Sequence, residues 1–283
     1  MQIDGERVLD FHTHVFPAEI VQARERYFSN EPWFEALYAA PRSRLATAAD
    51  LAQAMTRDDI AAAVALNFGW RDPGLCRETN DSILEALRPH RQIVPFCAIV
   101  PGDPGAAQEI ERCAALGFRG VGELNADGQG FDITDERTMR PIIEACRDHG
   151  IILLLHASEP VGHGYPGKGT TTPEKLIRFL AMARDVTVVL AHWGGGLLFY
   201  ELMPEIESVT QSAYYDTAAT PYLYAPQVYE IGSRLCASRL LFGSDFPLMP
   251  QRRALQHVDK AQLSAAKRRA LLWENGARLL RLD

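Results

Sequence analysis

The sequence of 283 residues lacks the features that mark several large classes of protein. It has no apolar run near the roughly 18 residues of a membrane-spanning helix, which argues against a membrane protein. The first residues carry no apolar core of a secretory signal peptide, and a formal net charge of −7 leaves no basic excess for nucleic-acid binding. We therefore expect a cytoplasmic protein that acts on a small molecule, without a nucleic-acid or membrane partner.

Cysteine and glycine motifs are missing as well. The first predicted strand is not followed by a Gly-x-Gly-x-x-Gly loop, which argues against a dinucleotide-binding fold. The cysteines are odd in number and include no C-x-x-C pair, which is typical of reduced, buried thiols and gives no support to a cysteine nucleophile. They are Cys76, Cys97, Cys113, Cys146 and Cys236.

What the sequence does contain is an alternation of apolar strands and amphipathic helices. Eight predicted strands alternating with helices predict a single α/β domain over residues 1–283, a distorted (β/α)8 TIM barrel rather than an open doubly wound sheet. Several strands are apolar throughout, as expected where both faces are buried. The predicted strands are 7–13, 62–68, 93–100, 119–124, 151–157, 187–192, 213–218 and 239–244. The predicted helices are 48–57, 79–87, 106–116, 136–149, 173–184 and 226–231.

Three segments depart from this repeat. Residues 17–47 are rich in aromatic side chains and are interpreted either as a lid or as an oligomer contact, for which a homodimer is the simplest case. Residues 158–173 are rich in glycine and proline. The segment from residue 261 to the end is predicted to be helical and to pack on the outside of the barrel.

Ionisable residues collect at the C-terminal ends of the predicted strands. In a (β/α)8 barrel these ends share one concave face, where catalytic residues gather. His12 and His14 end the first strand, and the alternation of strand side chains points both rings the same way. Four more follow later strands: Glu123, His156, His192 and Asp245.

A metal site explains these six side chains better than packing does. Burying so many ionisable groups without a cation or hydrogen bonds would be energetically costly. Taken singly, Asp245 could be a turn or capping residue, and His156 could be a core histidine satisfied by hydrogen bonds. Three imidazole nitrogens and one carboxylate suit Zn²⁺, which Mn²⁺, Fe²⁺ or Ni²⁺ could replace.

Short motifs are spread in order along nearly the whole chain. They are Asp10-Phe-His-Thr-His14, Leu155-His156, Ala191-His192-Trp-Gly-Gly195, Gly243-Ser-Asp245-Phe-Pro247 and Glu274-Asn-Gly-Ala-Arg-Leu-Leu280. They resemble the amidohydrolase-2 branch of the amidohydrolase superfamily, which includes amino-carboxymuconate-semialdehyde decarboxylases, benzoate-type decarboxylases and lactone hydrolases. The resemblance implies a distorted barrel with a metal at its mouth. The implied ligands are His12, His14, His156 and Asp245, and His192 is the implied catalytic or substrate-orienting residue.

The fourth predicted strand departs from the superfamily pattern, because no lysine ends it to form a carbamylated bridge between two metals. Glu123 stands in this region as a substitute ligand, as a bridge to a second metal, or as a hydrogen-bond acceptor behind the ligands. A one-residue error in strand register would turn it outward. We expect one divalent cation, most simply zinc, with a two-metal site as the alternative.

Further residues are candidates for substrate binding. In the loop after the fifth strand, Lys168 could pair with a carboxylate, and His163 or Tyr165 could donate hydrogen bonds. The alternative is an ordinary glycine- and proline-rich surface loop. Trp70 and Trp193 could form an aromatic wall, or could pack at the rim without touching substrate.

The preferred function is metal-dependent hydrolysis of a lactone, ester or amide bond in a small carboxylated or cyclic substrate. A metal-activated water would attack, with Asp245 as general base and His192 polarising the substrate. The alternative is non-oxidative decarboxylation of an aromatic or muconate-type acid. A third hypothesis, a catalytically inactive barrel that senses metal or ligand, is disfavoured because His192 and Asp245 are both present.

Overall fold

Eight parallel strands pair in chain order in the computed structural model, which describes residues 5–282. Backbone hydrogen bonds then join the last strand region to the first: the N–H groups of Phe11 and His14 donate to the carbonyls of Phe242 and Phe246, both at 2.7 Å. The predicted (β/α)8 barrel is therefore confirmed. The strands are β1 (Leu9–His14), β2 (Ala62–Leu66), β3 (Ile93–Cys97), β4 (Gly120–Leu124), β5 (Ile152–Leu155), β6 (Val188–Leu190), β7 (Ala213–Asp216) and β8 (Leu240–Leu241).

Helices connect the strands and begin and end at recognisable capping residues. The Thr47 hydroxyl accepts from the N–H of Asp50 and caps the helix Ala48–Asp58, whereas Gly150 in the left-handed conformation ends the helix Glu136–His149. The helices are α1 (Ala18–Gln22), α2 (Pro32–Tyr38), α3 (Ala48–Asp58), α4 (Pro73–Leu87), α5 (Ala106–Leu116), α6 (Ala126–Gln129), α7 (Glu136–His149), α8 (Pro173–Met182), α9 (Pro204–Thr210), α10 (Thr220–Leu223), α11 (Gln227–Leu235), α12 (Gln251–Val258), α13 (Ala265–Arg269) and α14 (Asn275–Leu280). Within residues 5–282, no helix combines the length and apolar character needed to cross a membrane.

Apolar side chains pack on both sides of the barrel wall. Strand residues such as Phe11 fill the interior, and a larger outer layer joins the strands to the helices. All five cysteines are buried and free, as predicted. The C-terminal segment was predicted to pack outside the barrel, and Leu271 and Leu272 do join the outer layer. Leu280 instead joins the interior cluster with Leu9, so α14 closes the end of the barrel at which the strands begin.

An irregularity in β1 directs its two histidines into the barrel mouth. Relative to β2, one extra residue lies between Asp10 and Thr13. An extra residue reverses the alternation of side chains beyond it. His12 and His14 therefore point inward, although Phe11, one position before His12, already fills the interior.

The same device turns Glu123 inward. Relative to β5, one extra residue lies in β4 between Val121 and Leu124, which both pack in the outer layer. Gly122 makes this possible, because its φ is 148° and a Cβ there would lie 2.8 Å from the carbonyl oxygen of Leu154. Strict alternation from Val121 would have pointed Glu123 outward.

The aromatic segment 17–47 forms a wall beside the ends of the first three strands. Its rings pack in one cluster with Phe16, Phe68 and Ala98, which directly follow β1, β2 and β3. This position agrees with the interpretation of the segment as a cover of the mouth. Its role as a homodimer contact stays a prediction.

Candidate metal centre

Three side chains from neighbouring strands converge at the mouth of the barrel. His12 Nε2 lies 3.1 Å from His14 Nε2. Asp245 Oδ1 lies 3.7 Å from His12 Nε2 and 3.5 Å from His14 Nε2. His12 is fully buried, whereas His14 and Asp245 keep 11% and 13% of their side chains exposed, so the group opens towards solvent on one side. We call His12, His14 and Asp245 the first donor group.

A buried carboxylate that the sequence analysis did not single out holds this group together. Asp10 Oδ1 accepts from the N–H of Ser244 at 2.9 Å, and its Oδ2 accepts from the Ser244 hydroxyl at 2.6 Å and from Gln251 at 2.8 Å. Burial raises the pKa of Asp10 to about 6 in spite of these hydrogen bonds. Asp10 thereby ties β1 to the loop after β8, where the N–H of Asp245 donates to the carbonyl of His12 at 2.9 Å.

Glu123 lies between the first donor group and the two remaining histidines. Its Oε2 is 3.7 Å from His12 Nε2 and 3.5 Å from His14 Nε2. Its Oε1 is 2.9 Å from His156 Nδ1 and 3.6 Å from His192 Nε2. We call Glu123, His156 and His192 the second donor group.

The orientation of three of these imidazole rings is set by acceptors on their far sides. Backbone carbonyls and ionised carboxylates can only accept hydrogen bonds. Each ring nitrogen that faces such an oxygen therefore carries a hydrogen. The other nitrogen of each ring then points at the centre of the site. The three contacts are His12 Nδ1 with Asp216 Oδ2 at 2.8 Å, His156 Nε2 with the carbonyl of Gly167 at 3.0 Å, and His192 Nδ1 with the carbonyl of Ala218 at 3.1 Å.

The carboxylates of the site favour positive charge on the neighbouring histidines. Burial lowers the pKa of His12, but the carboxylates of Asp216, Glu123 and Asp245 outweigh it and raise that pKa to about 9. For His192 burial is again outweighed, chiefly by Glu123, and the pKa rises to about 10. Burial would raise the pKa values of Glu123 and Asp245, but the histidines hold both below their usual range. Protons on the imidazole rings, or a cation bound among them, balance the negative charges of these carboxylates.

The geometry fits a divalent cation. Four ligands at about 2.1 Å from a tetrahedral metal lie about 3.4 Å from one another, close to the separations in the first donor group. Within residues 5–282, two sets of three side chains bring their ligand atoms within 4.8 Å of each other: His12, His14 and Asp245, and His12, Glu123 and His192.

His156 differs from its predicted place. The resemblance implied that it shares one cation with His12, His14 and Asp245, but it belongs to neither set. Its Nδ1 meets the carboxylate of Glu123, which stands between it and the first donor group. The inward turn of Glu123 in β4 brings its carboxylate to this nitrogen, at 2.9 Å.

The backbone at two of the predicted catalytic residues is in the left-handed region. The φ values are 55° at His192 and 67° at Asp245. Residues other than glycine rarely adopt this region, and such strain concentrates at functional sites. It lets each side chain leave its strand end towards the mouth instead of continuing along the sheet.

The two predicted aromatic wall residues do not line the opening. Trp70 and Trp193 have no exposed surface. Trp70 packs in the aromatic cluster with Phe34, at a ring separation of 5.0 Å, and the Trp193 indole N–H donates to the Thr220 hydroxyl at 2.8 Å. Large aromatic rings contribute most when fully buried, so both indoles act as packing behind the rim.

The predicted clamp residues mainly hold their own loop in shape. Lys168 Nζ donates to the carbonyl oxygens of Val161 at 2.6 Å and His163 at 3.2 Å. The Tyr165 hydroxyl donates to Glu159 at 2.8 Å. The His163 side chain is exposed. A role of Lys168, His163 and Tyr165 in substrate binding stays a prediction.

Comparisons with known proteins agree with the fold and with the motifs. A comparison with curated protein sequences finds no match. The structure of 5-carboxyvanillate decarboxylase from Sphingomonas paucimobilis is similar, with 16% identity over 99% of this chain and 100% of that chain and a TM-score of 0.81. Dihydroxybenzoic acid decarboxylase from Polaromonas sp. JS666, with bound manganese and the inhibitor 2-nitroresorcinol, shows 19% identity over 98% and 97% of the two chains and a TM-score of 0.76.

A putative amidohydrolase from Staphylococcus aureus is similar to the same extent, with 18% identity over 98% of this chain and 100% of that chain and a TM-score of 0.74. At these identities the likeness establishes a common fold. The family model described as amidohydrolase matches residues 9–282, which is nearly the whole chain. The chain therefore belongs to the amidohydrolase-2 branch of the amidohydrolase superfamily of enzymes.

Proposed function

We propose that this protein is a metal-dependent decarboxylase of a small hydroxylated aromatic or muconate-type acid. The observation that carries the proposal is the first donor group, which opens at the barrel mouth beside an aromatic wall built from residues 17–47. An acid of this class offers a carboxylate to a cation and a planar apolar body to such a wall. Two of the similar structures are decarboxylases of hydroxylated benzoic acids, which supports this reaction more than the hydrolysis preferred from sequence.

The chemistry divides between the cation and the side chains. A divalent cation held by His12, His14 and Asp245 would supply Lewis acidity that fixes the acid's oxygens and withdraws charge. The donor set suits zinc and manganese alike, so we propose a divalent cation of either kind.

Decarboxylation replaces a carbon–carbon bond by a carbon–hydrogen bond, so a proton must reach the carbon that carries the carboxylate. We assign this proton transfer to His192. Its Nε2 faces the centre, and the neighbouring carboxylates, Glu123 first, outweigh burial and raise the pKa of the ring, which favours the protonated form that can give up a proton. Glu123 Oε1, 3.6 Å from that nitrogen, holds the charged ring in position. The bond to the carboxylate then breaks, its electron pair returns to the substrate's unsaturated system, and carbon dioxide leaves.

A product assay tests the proposal. We expect the protein loaded with Mn²⁺ or Zn²⁺ to release carbon dioxide and the matching phenol from one or more of a panel of mono- and dihydroxybenzoic and muconic acids. His192→Asn should keep its cation in the first donor group but lose turnover by about 100-fold or more. Release of acid from lactones, esters or amides in a parallel panel, without carbon dioxide from any acid, would reject decarboxylation.

Hydrolysis remains a second candidate because of one observation, the second donor group. The inward nitrogens of His156 and His192 lie 2.9 and 3.6 Å from Glu123 Oε1, so Glu123 could bridge two cations. Paired cations suit hydrolytic reactions, and Asp245 would then serve as the general base. Metal analysis separates the candidates: His192→Asn should lower the cation content from two to one in a bridged centre and leave it at one in a single-cation centre.

A further inference from the structure

The hydroxyl of Tyr38 has no hydrogen-bond partner, although its ring is firmly held. Tyr38 is the last residue of α2, and its ring centroid lies 4.9 Å from Phe34, 5.5 Å from Phe16 and 6.1 Å from Phe68. Within residues 5–282 no backbone or side-chain group hydrogen-bonds its hydroxyl. Tyr38 is half-buried, so its fixed ring presents a hydroxyl that is free to donate to a bound molecule.

The electrostatic neighbours of this hydroxyl are the carboxylates of the metal centre. Burial raises the pKa of Tyr38 well above its ordinary value, and Asp245 and then Glu123 raise it further. The ring packs against Phe16, two residues after His14, which brings it to the end of β1. The same influences keep the phenol protonated, so that it can donate a hydrogen bond throughout the neutral range.

The end of α2 also meets the loop that orients His156. A Cβ on Gly167 would lie 3.3 Å from Leu37 Cδ2, so the residue before Tyr38 packs against this glycine. The carbonyl of the same glycine lies 3.0 Å from His156 Nε2. The last turn of α2 therefore meets the loop after β5 at the mouth, and the Tyr38 ring lies on the side of Phe16 and the end of β1.

We infer that Tyr38 contacts the substrate and donates a hydrogen bond to an oxygen of a planar acid held at the first donor group. The inference rests on the proposed function, because it requires an acid bound beside a cation. The Tyr38 ring lies among aromatic rings, which favours a flat, unsaturated body next to the acid's oxygens. Once a cation offsets the charges of Asp245 and Glu123, an anionic oxygen becomes the natural acceptor for the phenol.

Removal of the hydroxyl alone tests this contact. Tyr38→Phe keeps the ring, and Tyr27→Phe is the matched control. Tyr27 belongs to the same aromatic cluster and packs against Phe34 and Trp70, and its pKa is raised by burial and by Glu19 and Glu78, without a contribution from Asp245 or Glu123. The three proteins are loaded with Co²⁺ and titrated with salicylate, and binding is followed by the visible spectrum of the cation.

We expect the dissociation constant for salicylate to rise by about 10- to 100-fold in Tyr38→Phe, as for loss of a hydrogen bond to a charged group. It should stay unchanged in Tyr27→Phe, and both variants should hold as much Co²⁺ as the parent. Equal dissociation constants in all three proteins would overturn the inference and leave the metal-dependent function in place, even if Tyr38→Phe melts at a lower temperature. A parent protein that binds Co²⁺ but not salicylate also overturns it, and one that holds no cation overturns both proposals.

Discussion

The two donor groups on either side of Glu123 are built differently. In the first, His12 and His14 come from β1 and Asp245 from the loop beside it, and their ligand atoms lie 3.1 to 3.7 Å apart. In the second, His156 and His192 follow the ends of β5 and β6, with ring centroids 5.0 Å apart, and they meet only at Glu123. Only the first group has the spacing of a complete ligand set without Glu123.

The hydrogen-bonding groups that hold the two donor groups in place also differ. The first relies on Asp10 and Asp216, buried carboxylates that lie on strands. The second relies on the backbone carbonyls of Gly167 and Ala218, which lie in loops. Because strands hold side chains more rigidly than loops do, we expect the first group to bind a cation more tightly.

Removal of the cation should have the largest effect on turnover, because it empties both donor groups. Dialysis against a strong chelator should reduce turnover to background, because no side chain can replace the Lewis acid. Turnover should return when Mn²⁺ or Zn²⁺ is added back, and the number of equivalents needed shows whether one group or both are filled. Full activity in a protein shown to be free of metal would contradict the proposed centre.

Substitution of Asp245, in the first donor group, should have the second largest effect on turnover. Asp245→Asn should lower turnover by about 100-fold or more while part of the cation is retained, since the amide keeps an oxygen ligand but loses the charge. Asp132→Asn, at an exposed position outside the site, is a control expected to behave as the parent. Near-normal rates in Asp245→Asn would show that this residue takes no part in the reaction. They would also contradict the expectation that the first donor group is the more important of the two.

Asp216→Asn should have an intermediate effect and acts on both groups. Its Oδ2 accepts from His12 Nδ1 at 2.8 Å, and its Oδ1 accepts from the backbone N–H of His192 at 3.0 Å. An outer hydrogen-bond partner of this kind affects metal affinity by about 10- to 100-fold. We expect the dissociation constant of the cation, measured against a competing chelator, to rise by that factor. An unchanged affinity would mean that the ring of His12 is oriented without Asp216.

The smallest effect is expected at the loop beside the second group. Lys168→Ala removes the contacts that close the loop on the carbonyls of Val161 and His163. An exposed charged contact contributes about 1 kcal/mol at most, so KM should rise by about fivefold or less with kcat unchanged. A much larger rise in KM would restore the predicted direct clamp on the substrate. A lower kcat would instead show that the loop positions His156.

Most of the barrel could be predicted because the relevant signals are local. Each apolar run predicts a strand whichever strand it pairs with, and Gly150 ends its helix as expected. The predicted helix 79–87 begins earlier, at Pro73, because Asp72 accepts from the N–H of Leu75 and caps it. Such a cap is readable in the sequence, whereas the exact start of an amphipathic pattern is not.

The convergence of the strand-end side chains at one mouth could be predicted, but their arrangement could not. Asp245 and the four histidines at strand ends were identified from position alone, and the structure brings them to one mouth. Burial of Trp70 and Trp193 was not predicted, since an aromatic residue near a strand end reads the same whether it faces the opening or the core. The position of Tyr38 against Phe16 and Phe68 depends on how residues 17–47 fold back, which no short pattern specifies.

By itself, then, the sequence determined the number of strands, the single parallel barrel and the residues that collect at its mouth, because apolar periodicity and strand order are properties of the chain. Only the tertiary structure decided which way Glu123 points and how His156 is separated from Asp245. The reason is the extra residues in β1 and β4: they reverse the alternation of side chains, and they exist only in the pairing with β2 and β5.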